Sequence, residues 1–339
     1  MKIMIKNILV LFLTVGMLCS CVSKQEAKTG KKGSSGKTCE LMIVIEKEHF
    51  QGTTKHLVDS LFASPILTQL RPEPMFSIVT IPPSSFQSQE MFRVHRNIIM
   101  VDVKSENPNK VYRHIDNWAA PQVVWDFAVK DLTAFDTLLA KYYPKILDDF
   151  YNAEHKRIQN AFMTIPAPDL MDKVEKQYGF RLTFSNEYSV AKMTDTFGWI
   201  RKETKDYSIG ILIKKVPYTT QKAFESEAIL DSIDAMMKQH VPGPADSSYM
   251  GLERKRFDIE HRQVKLADQY CIEHRGQWKT FGDFMGGPFV SYTLTSPDNQ
   301  YLITLVGYVY SPRFDRPTYL HRDFLMQTEG ICYSIKFSE

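Results

Sequence analysis

The second half of the chain orders its strand and helix patterns in a way that few architectures accommodate. Four apolar stretches of strand length come first, over residues 180–185, 188–193, 198–202 and 208–216. An amphipathic helix follows, with Phe224, Ile229, Ile233 and Met236 or Met237 on one side. Four more strands are expected over 257–264, 269–279, 289–295 and 301–310, and the Pro297-Asp298-Asn299 turn joins the last two as a hairpin. A final helix carries Leu320, Phe324, Thr328, Ile331 and Ile335 at spacings of four, four, three and four. Strands that follow one another closely pair antiparallel, and each one-sided helix must bury its stripe against the sheet.

The first half reads as a smaller layer of the same class. Residues 40–45 form a short apolar run, and 53–62 is a helix with Leu57 and Leu61 one turn apart. Strands are expected at 76–81, 97–103 and 122–129. A long helix over about 131–162 carries Leu132, Phe135, Leu139, Ile146 and Phe150, and Pro144 should kink or divide it. Pro166 and Pro168 mark the boundary. The expected fold class is α+β in two domains, each a mainly antiparallel sheet with packed helices. The segments are a signal peptide at 1–20, a flexible tether at 21–38, an N-terminal domain at 39–165 and a C-terminal domain at 166–339.

The front of the chain locates the protein. Lys2 and Lys6 precede an apolar run at 8–18, too short for a ~30 Å hydrocarbon core but suited to a secretory signal. The run ends in Leu18-Cys19-Ser20-Cys21, which resembles the bacterial lipobox. That resemblance implies an acylated Cys21 holding the protein to a lipid bilayer, at about 0.8 kcal/mol per buried CH₂. Residues 22–37 are rich in Lys, Gly and Ser and read as flexible. Seven lysines against Glu26 put +6 into residues 1–38, so the rest of the +3 chain carries −3. A body of that charge offers no general attraction for nucleic acid. Gly36-Lys37-Thr38 mimics the end of a phosphate-binding loop, but Lys31 stands where its first glycine belongs and a strand follows instead of a helix. No nucleotide and no cofactor are expected.

Local strings carry a wider resemblance. Pro82-Pro83-Ser84-Ser85-Phe86, Trp118-Ala119-Ala120-Pro121-Gln122, Trp199-Ile200-Arg201, Arg275-Gly276-Gln277-Trp278 and Gly282-Asp283-Phe284-Met285-Gly286-Gly287-Pro288-Phe289 together resemble an uncharacterised lipoprotein family of the Bacteroidota. The resemblance covers roughly residues 39–337 and implies an envelope location. The sparse acids after Cys21 favour the periplasmic side of the outer membrane. Over about 178–337 the element order also resembles the PsbP-like group, which implies an α/β/α sandwich.

Catalytic signatures are scarce. Nine His are scattered without metal-ligand spacing, so no metal site is expected. Cys39, Cys271 and Cys332 remain after lipidation, and Cys271 and Cys332 are a possible disulfide if the last helix crosses the Cys271 strand. Glu273 and Asp283 flank the Arg275–Trp278 segment as a conceivable acid/base pair, the basis of an alternative reading as a carboxylate hydrolase. Gly286-Gly287-Pro288 reads as a turn or bulge leading into the next strand. The candidate ligand or partner rim is Arg275, Trp278, Asp283, Gly286 and Gly287, joined by Trp118, Gln122, Trp199 and Arg201, because Trp and Arg are common interface anchors. The expected function is a non-catalytic binding or assembly module for an envelope protein or glycan.

Overall fold

The structure, a computed structural model, describes residues 30–66, 72–312 and 320–338. The leader and Cys21 lie outside the described residues.

The chain opens on β1 (Glu40–Val44), α1 (Gly52–Phe62), β2 (Ser77–Ile81), the short α2 (Pro83–Ser88) and α3 (Glu90–Arg93), and β3 (Asn97–Val103). It continues through β4 (Lys110–Ile115), β5 (Val123–Val129) and the long α4 (Leu132–Phe162). Their sheet has the order β2-β1-β3-β5-β4. It differs from the expected antiparallel layer: β1 pairs parallel with β2 and β3, β3 pairs parallel with β5, and only β4 runs antiparallel. Helical crossovers through α1 and through α2–α3 impose the pairing of β1 with β2 and β3, because a strand returned by a helix re-enters from the same end, while β5 parallels β3 because the reversed β4 comes between them in the chain. β4 escaped the sequence reading because its side chains are largely exposed and it shows no apolar face.

α4 begins at Asp131, whose carboxylate accepts the Ala134 amide at 2.8 Å. It passes through Pro144 without interruption, contrary to the expected division. Its apolar face supplies Phe135, Leu139, Ile146 and Phe150, all fully buried, and this packing outweighs the one hydrogen bond that proline removes.

The second unit holds α5 (Pro168–Tyr178), closed by Gly179 at φ +77°, then β6 (Phe180–Arg181), β7 (Ser189–Met193), β8 (Phe197–Glu203) and β9 (Ser208–Pro217). After α6 (Ser226–His240) come β10 (Tyr249–Leu252), β11 (Glu260–Leu266), β12 (Gln269–Phe281), β13 (Gly286–Thr295) and β14 (Tyr301–Tyr310). α7 (His321–Cys332) and β15 (Lys336–Phe337) end the described chain. The large sheet is antiparallel throughout, in the order β10-β12-β13-β14-β9-β8-β7, with β11 also on β12. β6 and β15 form a separate ribbon. Helices cover both sheet faces: α6 packs one through Ile229, Ile233 and Met237, while α7 lies against β13 and β14 on the other.

α7 also packs against α4, so one apolar cluster runs from Leu41 and Ile99 of the first sheet through Phe150 and Ile331 to Tyr292 and Leu305 of the second. The mixed α+β architecture thus has two units that share a continuous core. A smaller cluster around Met42, Ile98 and Phe86 covers the outer face of the first sheet.

Part of the expected tether is docked. The Ser35 amide donates to Val94 O at 2.8 Å, and the Ala120 amide donates to Lys32 O at 3.0 Å. Arg96 donates to Gly36 O at 2.8 Å and Arg157 to Ser34 Oγ at 3.1 Å. Residues 32–36 therefore lie across the ends of β3 and β5, held by these two arginines through the Gly36 carbonyl and the Ser34 hydroxyl.

Candidate functional site

Strand alternation aims every second side chain of the large sheet at the α6 side. On β8 these are Phe197, Trp199, Arg201 and Glu203; on β14, Tyr308 and Tyr310; on β12, Trp278 and Thr280. α6 stops at His240, and beyond it the described residues leave a gap. The gap is a cleft of about 670 Å³, walled by Trp199, Trp278, Tyr308 and Tyr310 with Met250, Met285 and the Val241–Pro244 segment. That volume lies within the ~300–1,000 Å³ usual for small-molecule sites.

Glycine makes room for the rings. Tyr308 lies opposite Gly210, where any Cβ would collide with the phenol ring. Gly287 lies opposite Trp278, and a Cβ there would strike the Val309 carbonyl. That carbonyl accepts the Trp278 indole N–H at 3.0 Å, and the Trp199 indole donates to Tyr308 Oη at 2.8 Å. Both indoles are held by their own hydrogen bonds. Tyr308 is largely buried, and burial pushes its hydroxyl above the usual tyrosine range. Arg201 stands over the Trp199 ring, 4.8 Å from its centre, and pairs with Glu203 at 2.8 Å.

Three residues of the expected rim, Trp199, Arg201 and Trp278, therefore meet in one cleft, with Gly287 beneath Trp278. Asp283 sits in the adjoining β12–β13 hairpin, where its carboxylate accepts the Phe284 amide at 2.6 Å. The other rim residues lie elsewhere. Gly286-Gly287-Pro288 is strand, paired with Lys279-Trp278-Gln277, and not the expected turn; the turn belongs to Gly282 at φ +84°. Arg275 lies on the opposite sheet face from Trp278. Gln122 is a buried plug: its oxygen accepts the Trp118 amide at 2.9 Å and its nitrogen donates to Arg93 O and His95 O at 2.7 Å. Trp118 packs edge-on against Phe86 with ring centres 5.5 Å apart. Both are core elements of the first unit.

The expected acid/base pair does not form. Glu273 is buried between Arg262 (2.8 Å) and Arg275 (2.6 Å) and lines a separate cavity at the seam of the units, where Asp283 takes no part. Arg275 reaches on to Glu329 with two bonds of 2.8 Å, and His155 of α4 approaches Glu329 at 3.4 Å. Burial raises the Glu273 and Glu329 carboxyls, but the arginine charges outweigh it and hold both below the usual range. A carboxyl fixed as an anion is unsuited to donate a proton. Cys271 and Cys332 are buried free thiols, not a disulfide.

Two hydroxyl pairs were not anticipated. Ser226 Oγ lies 2.8 Å from His274 Nε2, and Ser232 Oγ lies 2.6 Å from Lys214 Nζ. Both tie α6 to the sheet, and neither lines any of the four described cavities. Burial first, and His261 second, lower the His274 pKa to about 4, and its Nδ1 has no partner to orient it as a base. No group of three or more His, Cys, Asp or Glu among the described residues is placed to hold a metal. No helix of the described residues is long and apolar enough to cross a membrane.

Residues 34–163 match the model of a family described as Domain of unknown function (DUF8532). Residues 167–334 match that of Domain of unknown function (DUF4837). The join falls between the end of α4 and the start of α5. No curated protein matches the chain. A solved structure described as "Crystal structure of LpqN involved in cell envelope biogenesis of Mycobacterium tuberculosis" is similar at 10% identity and a TM-score of 0.28. The match covers 47% of this chain and 83% of that one, and so distant a likeness carries no argument. Across nearly all of its described body, then, the chain is similar to two families of undefined function, one for each unit.

Proposed function

We propose that this chain is a non-catalytic binding or assembly module of the bacterial envelope, tethered through acylated Cys21, whose ligand sits in the cleft between Trp199 and Trp278. The observation that carries the binding half is the convergence of Trp199, Arg201 and Trp278, distant in sequence, on one cleft. The placement half rests on the charged, short-hydrophobic leader ending in Leu18-Cys19-Ser20-Cys21, and on the resemblance of residues 39–337 to Bacteroidota lipoproteins. The outer membrane, with the body facing the periplasm, is the favoured site.

The docked strap tightens this picture. Eleven residue steps separate Cys21 from Lys32, a reach of at most about 40 Å when extended. The body would ride close to the bilayer with the strap end leading.

Mass spectrometry of the mature N-terminus tests the placement. A fatty-acylated Cys21 is expected, and Cys21→Ala should release the body from membranes. An uncleaved leader, or a native protein without acyl chains, refutes it. The cleft is tested with the dye 1-anilinonaphthalene-8-sulfonate, whose fluorescence should rise on binding and fall in Trp199→Ala.

A further inference from the structure

The binding reading leaves open what chemistry the cleft takes, and its walls and rim narrow the choice. Both indole N–H groups are spent inside the protein, on Tyr308 Oη and Val309 O. Trp278 is buried and Arg201 covers one face of the half-buried Trp199, so the cleft offers chiefly Trp199 carbon surface, with no indole donor to spare. The ligand must bring flat C–H surface to lie against fixed aromatic rings.

The rim is of the opposite character. Arg201 and Glu203 protrude with side chains 33% and 56% exposed and form a pair at 2.8 Å. Lys205 and Asp206 line the same mouth. Among the described residues, two cations and two carboxylates (Asp206 largely buried) balance at this mouth, so these residues exert no net pull on a charged ligand. A guanidinium supplies only donors and a carboxylate only acceptors. Side by side, they match groups that donate and accept at once, which is the chemistry of adjacent hydroxyls.

We propose that the cleft binds a neutral oligosaccharide, one pyranose ring lying against the Trp199 wall and its hydroxyls meeting the Arg201–Glu203 pair. This rests on the reading of the cleft as the ligand site. An acyl chain would leave the charged rim unused. A phosphorylated ligand would find no surplus of positive charge among the described residues of the mouth. A polyproline segment also favours aromatic-lined grooves, but it brings carbonyl acceptors, and the indole donors that would meet them are occupied.

The test titrates the purified mature protein with cellotetraose, chitotetraose and maltotetraose, followed by tryptophan emission and calorimetry. Decaproline and 1-anilinonaphthalene-8-sulfonate serve as parallel probes. At least one sugar should bind. Trp199→Ala should weaken it tenfold or more, Trp199→Phe should restore most of the affinity, and Glu203→Gln at the exposed rim should weaken it about threefold. Trp118→Phe, in the other unit, should stay within twofold of the parent. If decaproline or the dye binds and no sugar does, the saccharide assignment falls while the cleft remains a site. If nothing binds, both fall. Sugar binding that Trp199→Phe, Trp199→Ala and Glu203→Gln all leave untouched also overturns the proposal, since the sugar then sits elsewhere.

Discussion

Glu329→Gln should destabilise the entire body by about 3–5 kcal/mol, the cost of removing one partner from a buried ion pair. Glu329 is 3% exposed on α7. Its two oxygens take both terminal nitrogens of Arg275 at 2.8 Å, with His155 Nε2 at 3.4 Å and Tyr292 Oη at 3.5 Å on the Oε2 side. Glutamine keeps the shape and one acceptor, but its amide turns an NH₂ toward a guanidinium that has only donors. Arg275 would then depend on Glu273, which Arg262 already shares. The double variant Arg275→Met/Glu329→Leu should lie much nearer the parent, because no uncompensated charge remains. The pH dependence has a definite sign. The folded Glu329 carboxyl is depressed despite its burial, chiefly by the Arg275 charge. Its stabilisation is therefore complete well above the unfolded value of about 4.3 and fades as pH falls toward the lower folded value. The gap between parent and Glu329→Gln should be widest near neutral pH and narrow in acid. Guanidinium unfolding at pH 7.5 and pH 3.5, read by tryptophan emission and circular dichroism, measures it. One transition common to both probes is expected, since the apolar cluster is continuous across the units. A variant within about 1 kcal/mol of the parent at pH 7.5 would refute the reasoning, as would a first unit that unfolds separately and unaffected.

Gly287→Ala should cost about 1–3 kcal/mol through overpacking against the Val309 carbonyl and should shift the emission of Trp278; an unperturbed melting curve contradicts the close approach. Burial pushes the Cys39, Cys271 and Cys332 thiols above their usual range, so a disulfide reagent should label them only on unfolding. Labelling of native protein within minutes, or a mass showing a Cys271–Cys332 bond, contradicts this.

The long-period elements were legible because their patterns are local. α4 and β14 lie almost where the spacing of their apolar residues places them, and the sheet around β14 is antiparallel because its strands follow one another closely. β10 was missed because it has four residues, and β4 because none of its side chains is buried. The Gly286-Gly287-Pro288 reading failed for a different reason. Glycine and proline signal a turn only when nothing else demands them, and here Val309 O demands the absence of a Cβ.

The site divides along the same line. Trp199, Arg201 and Trp278 were singled out by residue type, and strand parity decides which of them meet: Trp278 faces the cleft, whereas Arg275, an odd number of residues away, must face the other side. Gln122 looked like a rim residue because nothing in its neighbours reveals that four backbone groups converge on its amide. Residues 30–38 read as a tether by composition, yet Arg96, through the Gly36 carbonyl, and Arg157, through the Ser34 hydroxyl, hold them on the body. Local chemistry along the chain is thus enough for the helices, the hairpins, the lipobox-like leader and the list of aromatic candidates. Which sheet is parallel, which aromatics share a cleft, and that α4 and α7 fuse the two units into one core are consequences of contacts between residues far apart in the chain, and no local pattern encodes those pairings.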